Sequence, residues 1–410
     1  MKNKFIALIT LFLLSIGATA QIDRSQQPKA GPAPAIHLGK PQTFELKNGL
    51  KVLVVENHKL PRVSASLILD NGPIFEGEKA GLTSIAGAMM GNGTKTISKD
   101  AFNEEIDFLG ANLNIGSQNA SFNTLSKFFP RILELTADAV QNPLLMQEEF
   151  EKEQTKLLEN IKLGENSVAA IAAKAQNALV YGKNHPYGEF ETETTVKNVT
   201  LADIQNFYGT YFKPNNAYLV IVGDVNFKDV KAQVTKHFKN WKKGTIPAYE
   251  IPKVTDVTKT EINFINMPNA VQSDIAVINT VDLKMSNPDY FAALLANKIF
   301  GGGGEGRLFL NLREDKGYTY GAYSRIGNDE RTSATFKSAA SVRNMVTDSS
   351  VVEFMKEIKT FRDTKVTDEE LKNAKAAYVR ITVTACQRPE NGAGIYEFKV
   401  FSSFVFKNLY

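Results

Sequence analysis

Gly81-Leu82-Thr83-Ser84-Ile85-Ala86-Gly87-Ala88-Met89 has the apolar rhythm of a short helix and little reactive chemistry. A strand that runs into Asp70-Asn71-Gly72-Pro73 and an acidic turn precede it, and Met90-Gly91-Asn92-Gly93-Thr94-Lys95 follows. Ser84, Gly87 and Ala88 bring a hydroxyl, a hydrogen and a methyl group. None of these can hold a zinc ion or take up a proton at neutral pH.

Outward from this helix the pattern alternates between sheet and helix. Phe44 to Glu56 reads as two strands joined by the Asn48-Gly49 turn, a hairpin signature. Residues 63–69, 111–117 and 120–125 alternate as strands, and 218–224 form a buried strand. Helical spacing predicts helices over 81–90, 99–109, 129–141 and 146–163, and Thr200-Leu201-Ala202-Asp203 opens another with a capping-box pattern. The order recurs further on, with strands at 262–267, 272–278, 318–325 and 331–339 and helices at 283–300, 349–362 and 367–381. We read this as a duplication: an α+β chain of two halves, each an antiparallel sheet packed against helices. The expected divisions are a domain at 41–240, a linker at 241–257 and a second domain at 258–410. The second half reads as truncated or altered at its end, short by roughly 30–50 residues on repeat length. Its apolar tail, Phe398 to Phe406, does not fit the pattern.

The 410 residues are 43% apolar, enough for real cores, and 48 basic against 44 acidic side chains argue against a nucleic-acid partner. Met1-Lys2-Asn3-Lys4, the apolar run to Ile16 and Ala18-Thr19-Ala20 form a cleavable signal peptide over residues 1–20. That run is too short for a stable membrane anchor, so export, with a periplasmic address, is expected. Residues 21–40 read as a disordered lead-in. The single cysteine, Cys386, permits no internal disulfide. His37, His58, His185 and His237 include no pair at i, i+3 or i, i+4. His58 and His237 read as surface side chains, and His185, before Pro186-Tyr187-Gly188, as shaping a turn.

Several short motifs occur in a specific order. They are Leu46-Lys47-Asn48-Gly49-Leu50, Gly81-Leu82 with Gly93-Thr94, Glu153 with Glu159-Asn160-Ile161, and His185-Pro186-Tyr187-Gly188. Then come Tyr211-Phe212-Lys213-Pro214-Asn215-Asn216, Phe300-Gly301-Gly302-Gly303, Arg307-Leu308-Phe309 and Leu312-Arg313-Glu314. Together they resemble the pitrilysin/insulinase-type metallopeptidase family, in the branch with mitochondrial processing peptidase and two-subunit bacterial periplasmic peptidases. The resemblance runs from about Phe44 to about Arg388. It implies a zinc site built on H-x-x-E-H, whose His positions fall on Ser84 and Ala88 and whose catalytic Glu falls on Gly87. The third ligand, a Glu seven residues after Glu153, falls on Asn160. All four places are therefore degenerate, and no metal or catalytic residue is expected in this chain. The resemblance also implies a substrate-facing Arg and Tyr, matched here by Arg313 and Tyr320. A guanidinium suits a peptide carbonyl or carboxylate, and a phenol can donate to a developing oxyanion. The Gly301–Gly306 run follows a helix and lacks a phosphate-binding signature, so it reads as a flexible helix-ending loop.

Three readings follow. The first is a non-catalytic, substrate-binding subunit of a heterodimeric peptidase, with zinc in a homologous partner and peptides as substrates. The second is a structural or binding protein of the same fold, like the core subunits of respiratory complexes. The third, an autonomous hydrolase of another type, is opposed by the absence of a G-x-S-x-G elbow and of a His near Cys386.

Overall fold

A computed structural model describes residues 40–376 and two short strands, Ile381–Ala385 and Glu397–Val400, which pair antiparallel. The expected signal peptide, most of the lead-in, Cys386 and most of the apolar tail lie outside the described residues. In the first half the strands are β1 (Gln42–Glu45), β2 (Lys51–Glu56), β3 (Arg62–Leu69), β4 (Asn112–Ile115), β5 (Asn119–Leu125) and β6 (Ala217–Gly223). They form one sheet in the order β1-β2-β6-β3-β5-β4. The sheet is antiparallel except that β6 runs parallel to β2, with Val52 opposite Leu219 and Val54 opposite Ile221. The predicted hairpin forms with Glu45 opposite Lys51. Gly49 at its turn has φ +90°, and a Cβ there would lie 2.8 Å from that of Asn215, so only glycine fits.

The helices of this half are α1 (Leu82–Met89), α2 (Lys99–Phe108), α3 (Phe129–Gln141), α4 (Gln147–Gly164), α5 (Val168–Tyr181), α6 (Glu193–Lys197), α7 (Leu201–Tyr211) and α8 (Phe227–Phe238). One core joins the sheet to them: Val52, Val54, Leu67 and Phe122 from the strands meet Ile85, Met89, Ile132, Ile204 and Phe238. Burying each such side chain stabilises by about 1.5–3 kcal/mol.

The second half has strands β7 (Gln272–Val281), β8 (Thr319–Ile326) and β9 (Ala334–Arg343) in the order β7-β9-β8. Its helices are α9 (Tyr290–Phe300), α10 (Thr347–Asp363) and α11 (Asp368–Ala376). Phe300, Leu308, Leu312, Ala322, Val342 and Phe354 form its core. Two expectations change here. The predicted strand over 262–267 does not form, and Ile262 and Phe264 stand 89% and 83% exposed. In the first half β3 pairs on both sides, with β5 and β6; among the described residues its counterpart β7 pairs only with β9. Among the described residues the segment pairs with no strand, and an unpaired strand is not stable. The helix expected over 283–300 begins only at Tyr290, because Pro288 restricts Asn287 to extended conformations.

Arg307 fastens α11 to this half. Its Nε and Nη2 donate to the two oxygens of Glu370 at 2.6 and 2.9 Å, while Glu370 also caps the helix through Thr367. The fork holds the Glu370 carboxyl down at about 2, against an ordinary 4.5. A depressed carboxyl contributes stability above its unfolded value and loses it as pH falls toward the folded one. The stability gap between wild type and Glu370→Gln should therefore shrink as pH drops from 4.5 toward 2. Denaturant unfolding at several pH values reads this, and a constant gap would contradict it.

Candidate functional site

α1 is positioned from its N-terminus. Gly81 enters with φ +112°, and a Cβ there would lie 2.8 Å from Val196 Cγ2. The Glu76 carboxylate accepts from the backbone N–H groups of Gly81 and Leu82 at 2.8 Å and of Thr83 at 3.2 Å, and from the Thr83 hydroxyl. An anion there satisfies orphan donors and complements the helix dipole. Glu76 is itself steadied by Glu189, whose carboxylate accepts from the backbone N–H groups of Glu76 and Gly77. Burial pushes the Glu189 carboxyl up.

This anchoring turns Ile85, Ala86 and Met89 into the core and leaves Ser84 and Ala88 exposed, one turn apart. The Ser84 hydroxyl donates to Glu191, and the Ala88 carbonyl accepts from Asn92 at 2.8 Å. Gly87 faces the β4–β5 turn, where an added Cβ would lie 3.2 Å from the Ser117 backbone nitrogen. α4 packs on α1, buries Phe150 and Ile161, and presents Asn160 to solvent. Glu153, the other acid of that pattern, pairs with Lys156 at 2.7 Å. A hydroxyl, a methyl and an amide do not fit a zinc ion. Among the described residues no group of three or more His, Cys, Asp or Glu could hold a metal ion.

Arg313 and Tyr320 are brought together in the second half. Arg313 lies in a π-helical turn, Leu310–Asp315, a rare geometry that recurs at functional sites. Its Nη1 donates to the Tyr320 carbonyl at 2.6 Å, its guanidinium lies 5.0 Å over the Phe309 ring, and Glu314 pairs with Nε at 3.3 Å. The Tyr320 side chain is 85% exposed, so its hydroxyl points away from any core. The stacking on Phe309 and the carbonyl contact escape a sequence reading. The glycine-rich loop does end α9, but it is tied down: Ser324 N–H donates to Gly301 O at 2.8 Å, and Gly301 and Gly302 both donate to Asn297 O.

His185 joins the halves, a role that its motif did not reveal. The Tyr187 N–H donates to Nδ1 at 3.0 Å, which sets the neutral tautomer and leaves Nε2–H facing the Thr332 hydroxyl at 3.2 Å. Asp329 accepts from the Tyr187 hydroxyl at 2.8 Å and from the N–H groups of Arg331 and Thr332. Arg331 reaches back to Asp70. Tyr181 stacks on the imidazole at 5.0 Å.

The family descriptions "Insulinase (Peptidase family M16)" and "Peptidase M16 inactive domain" match residues 51–185 and 198–378. The chain belongs to the M16 peptidase family. Among M16 relatives, an uncharacterized zinc protease of Rickettsia felis is 27% identical over 72% of this chain and 73% of its own. The mitochondrial-processing peptidase subunit beta of Mus musculus is 26% identical over 68% of this chain and 58% of its own. The structure of an M16 inactive domain from Pseudomonas fluorescens superposes with a TM-score of 0.75 at 24% identity, covering 82% of both chains. The periplasmic protease PqqL of Escherichia coli gives 0.64 at 17% identity, over 84% of this chain and 40% of that one. These two show the M16 fold.

Burial holds His185 below its ordinary 6.5, against the opposing pull of Asp329. The junction needs the neutral ring, so it should weaken as pH falls below 6.5, where the detached state takes up the proton first. Amide exchange at Arg331 and Thr332 should accelerate beyond the intrinsic pH effect, and His185→Gln should remove that excess. Equal profiles in both proteins would contradict this.

Proposed function

We propose that this chain is the non-catalytic, substrate-binding subunit of a heterodimeric, exported zinc peptidase, with the metal in a homologous partner chain. The observation that carries the reading is a neutral α1 face, Ser84 and Ala88 beside Gly87, in a chain that keeps Arg313 and Tyr320 paired. We assign Ser84, Gly87, Ala88 and Asn160 to the degenerate zinc positions. Residues 1–20 support export to the periplasm, and among the described residues no helix is long and apolar enough to cross a membrane.

In this role the chain binds and orients an extended peptide. Arg313, held by Phe309 and the Tyr320 carbonyl, keeps donors free for a substrate carbonyl or terminal carboxylate. The Tyr320 hydroxyl donates a second hydrogen bond without a large rearrangement, because its ring is already exposed. The zinc and the general base would be supplied by the other chain. A relative named as a processing-peptidase subunit supports a two-chain arrangement.

The test is reconstitution with an M16 chain that carries H-x-x-E-H, assayed on a fluorogenic peptide. The isolated chain should be silent and the mixture active. Arg313→Ala should lower kcat/KM of the mixture by about tenfold or more while the two chains still co-elute. Cleavage by the isolated chain, or an unchanged rate with Arg313→Ala, would contradict the proposal.

A further inference from the structure

Five lysines sit on three segments of backbone that meet at the C-terminal end of α8. Three loops meet there around the buried Trp241. The Asn48 amide donates to the carbonyls of Phe238 and Trp241 at 2.8 and 2.9 Å, which places the β1–β2 turn, with Lys47, beside the helix end. The Trp241 indole N–H donates to Phe212 O at 3.2 Å. Asn215 exchanges two hydrogen bonds of 2.9 Å with the backbone of Gly244, and a Cβ on Gly244 would lie 3.5 Å from Lys213 Nζ. Lys47, Lys213, Lys239, Lys242 and Lys243 are thus held near one another by backbone that cannot spread apart.

None of the five takes part in an ion pair among the described residues. Lysines at a helix C-terminus complement its dipole, which accounts for Lys239 but not for cations on the other two loops. Residues 228–243 hold six lysines and one acid, Asp229, in a chain of nearly balanced charge. Like charges fixed on a rigid surface repel, and an anionic partner relieves that repulsion.

We infer that this platform docks an acidic polypeptide segment, independently of the peptidase reading. One feature favours a polypeptide over a lipid surface. Phe212, Phe238 and Trp241 are buried beneath the platform, so it has no exposed aromatic wedge to enter a bilayer.

The probe is fluorescein-labelled poly-L-glutamate, followed by anisotropy with the full chain at low and at physiological salt. Binding should weaken with salt. It should weaken by about tenfold or more when Lys47, Lys213, Lys239, Lys242 and Lys243 are all changed to Gln, with circular dichroism and melting unchanged. A control of Lys356→Gln with Lys359→Gln should bind like wild type. Should the five-fold variant lose its fold, Lys242→Gln with Lys243→Gln, on irregular backbone, should still weaken binding measurably. No binding of poly-L-glutamate, equal binding by the variants, or binding only to phosphatidylglycerol vesicles would overturn the inference.

Discussion

Carboxylate-to-amide contacts at the start of α1 fix the orientation on which the rest of the site depends. Glu76 gathers three backbone donors and a hydroxyl, and Glu189 holds Glu76 in turn. With the helix start pinned, its rotation is set by the burial of Ile85, Ala86 and Met89. The face left over is then Ser84 and Ala88, and its chemistry follows from those identities alone. A helix start anchored in this way does not need a metal ion to hold its place.

The two halves divide their tasks unequally. Among the described residues the first carries a six-stranded sheet and a continuous core, and the second holds a three-stranded sheet with smaller apolar clusters. The apolar helix α5 packs on β7 across the junction, and specific polar contacts add to it: an imidazole, a phenol, a carboxylate and a guanidinium, each with a named partner. Lys337 adds a contact to Gln176 on α5 at 2.6 Å. These contacts fix the geometry of the junction through directional hydrogen bonds.

Legibility from sequence followed the range of the interactions. The Asn48-Gly49 hairpin, the alternation in β3 and β5 and the capping box at Thr200 are local, and the structure has them where expected. α5 went unseen because Val168 to Tyr181 is apolar nearly all round, without the stripe that marks an amphipathic helix. The strand at 262–267 reads well by composition yet pairs with no other strand among the described residues, and no local pattern reveals this. At the site, the residue types at Ser84, Ala88, Arg313 and Tyr320 were plain. The supports were not: Glu189 lies more than a hundred residues from Glu76, and Asp329 as far again from Tyr187.

The most direct measurement is metal content of the purified, partner-free chain after equilibration with zinc and gel filtration. With a hydroxyl, a methyl and an amide at the places where ligands would stand, the protein should retain no stoichiometric zinc and cleave no peptide. One bound equivalent, together with peptide cleavage that a chelator abolishes, would contradict the assignment of this chain as the partner without the metal.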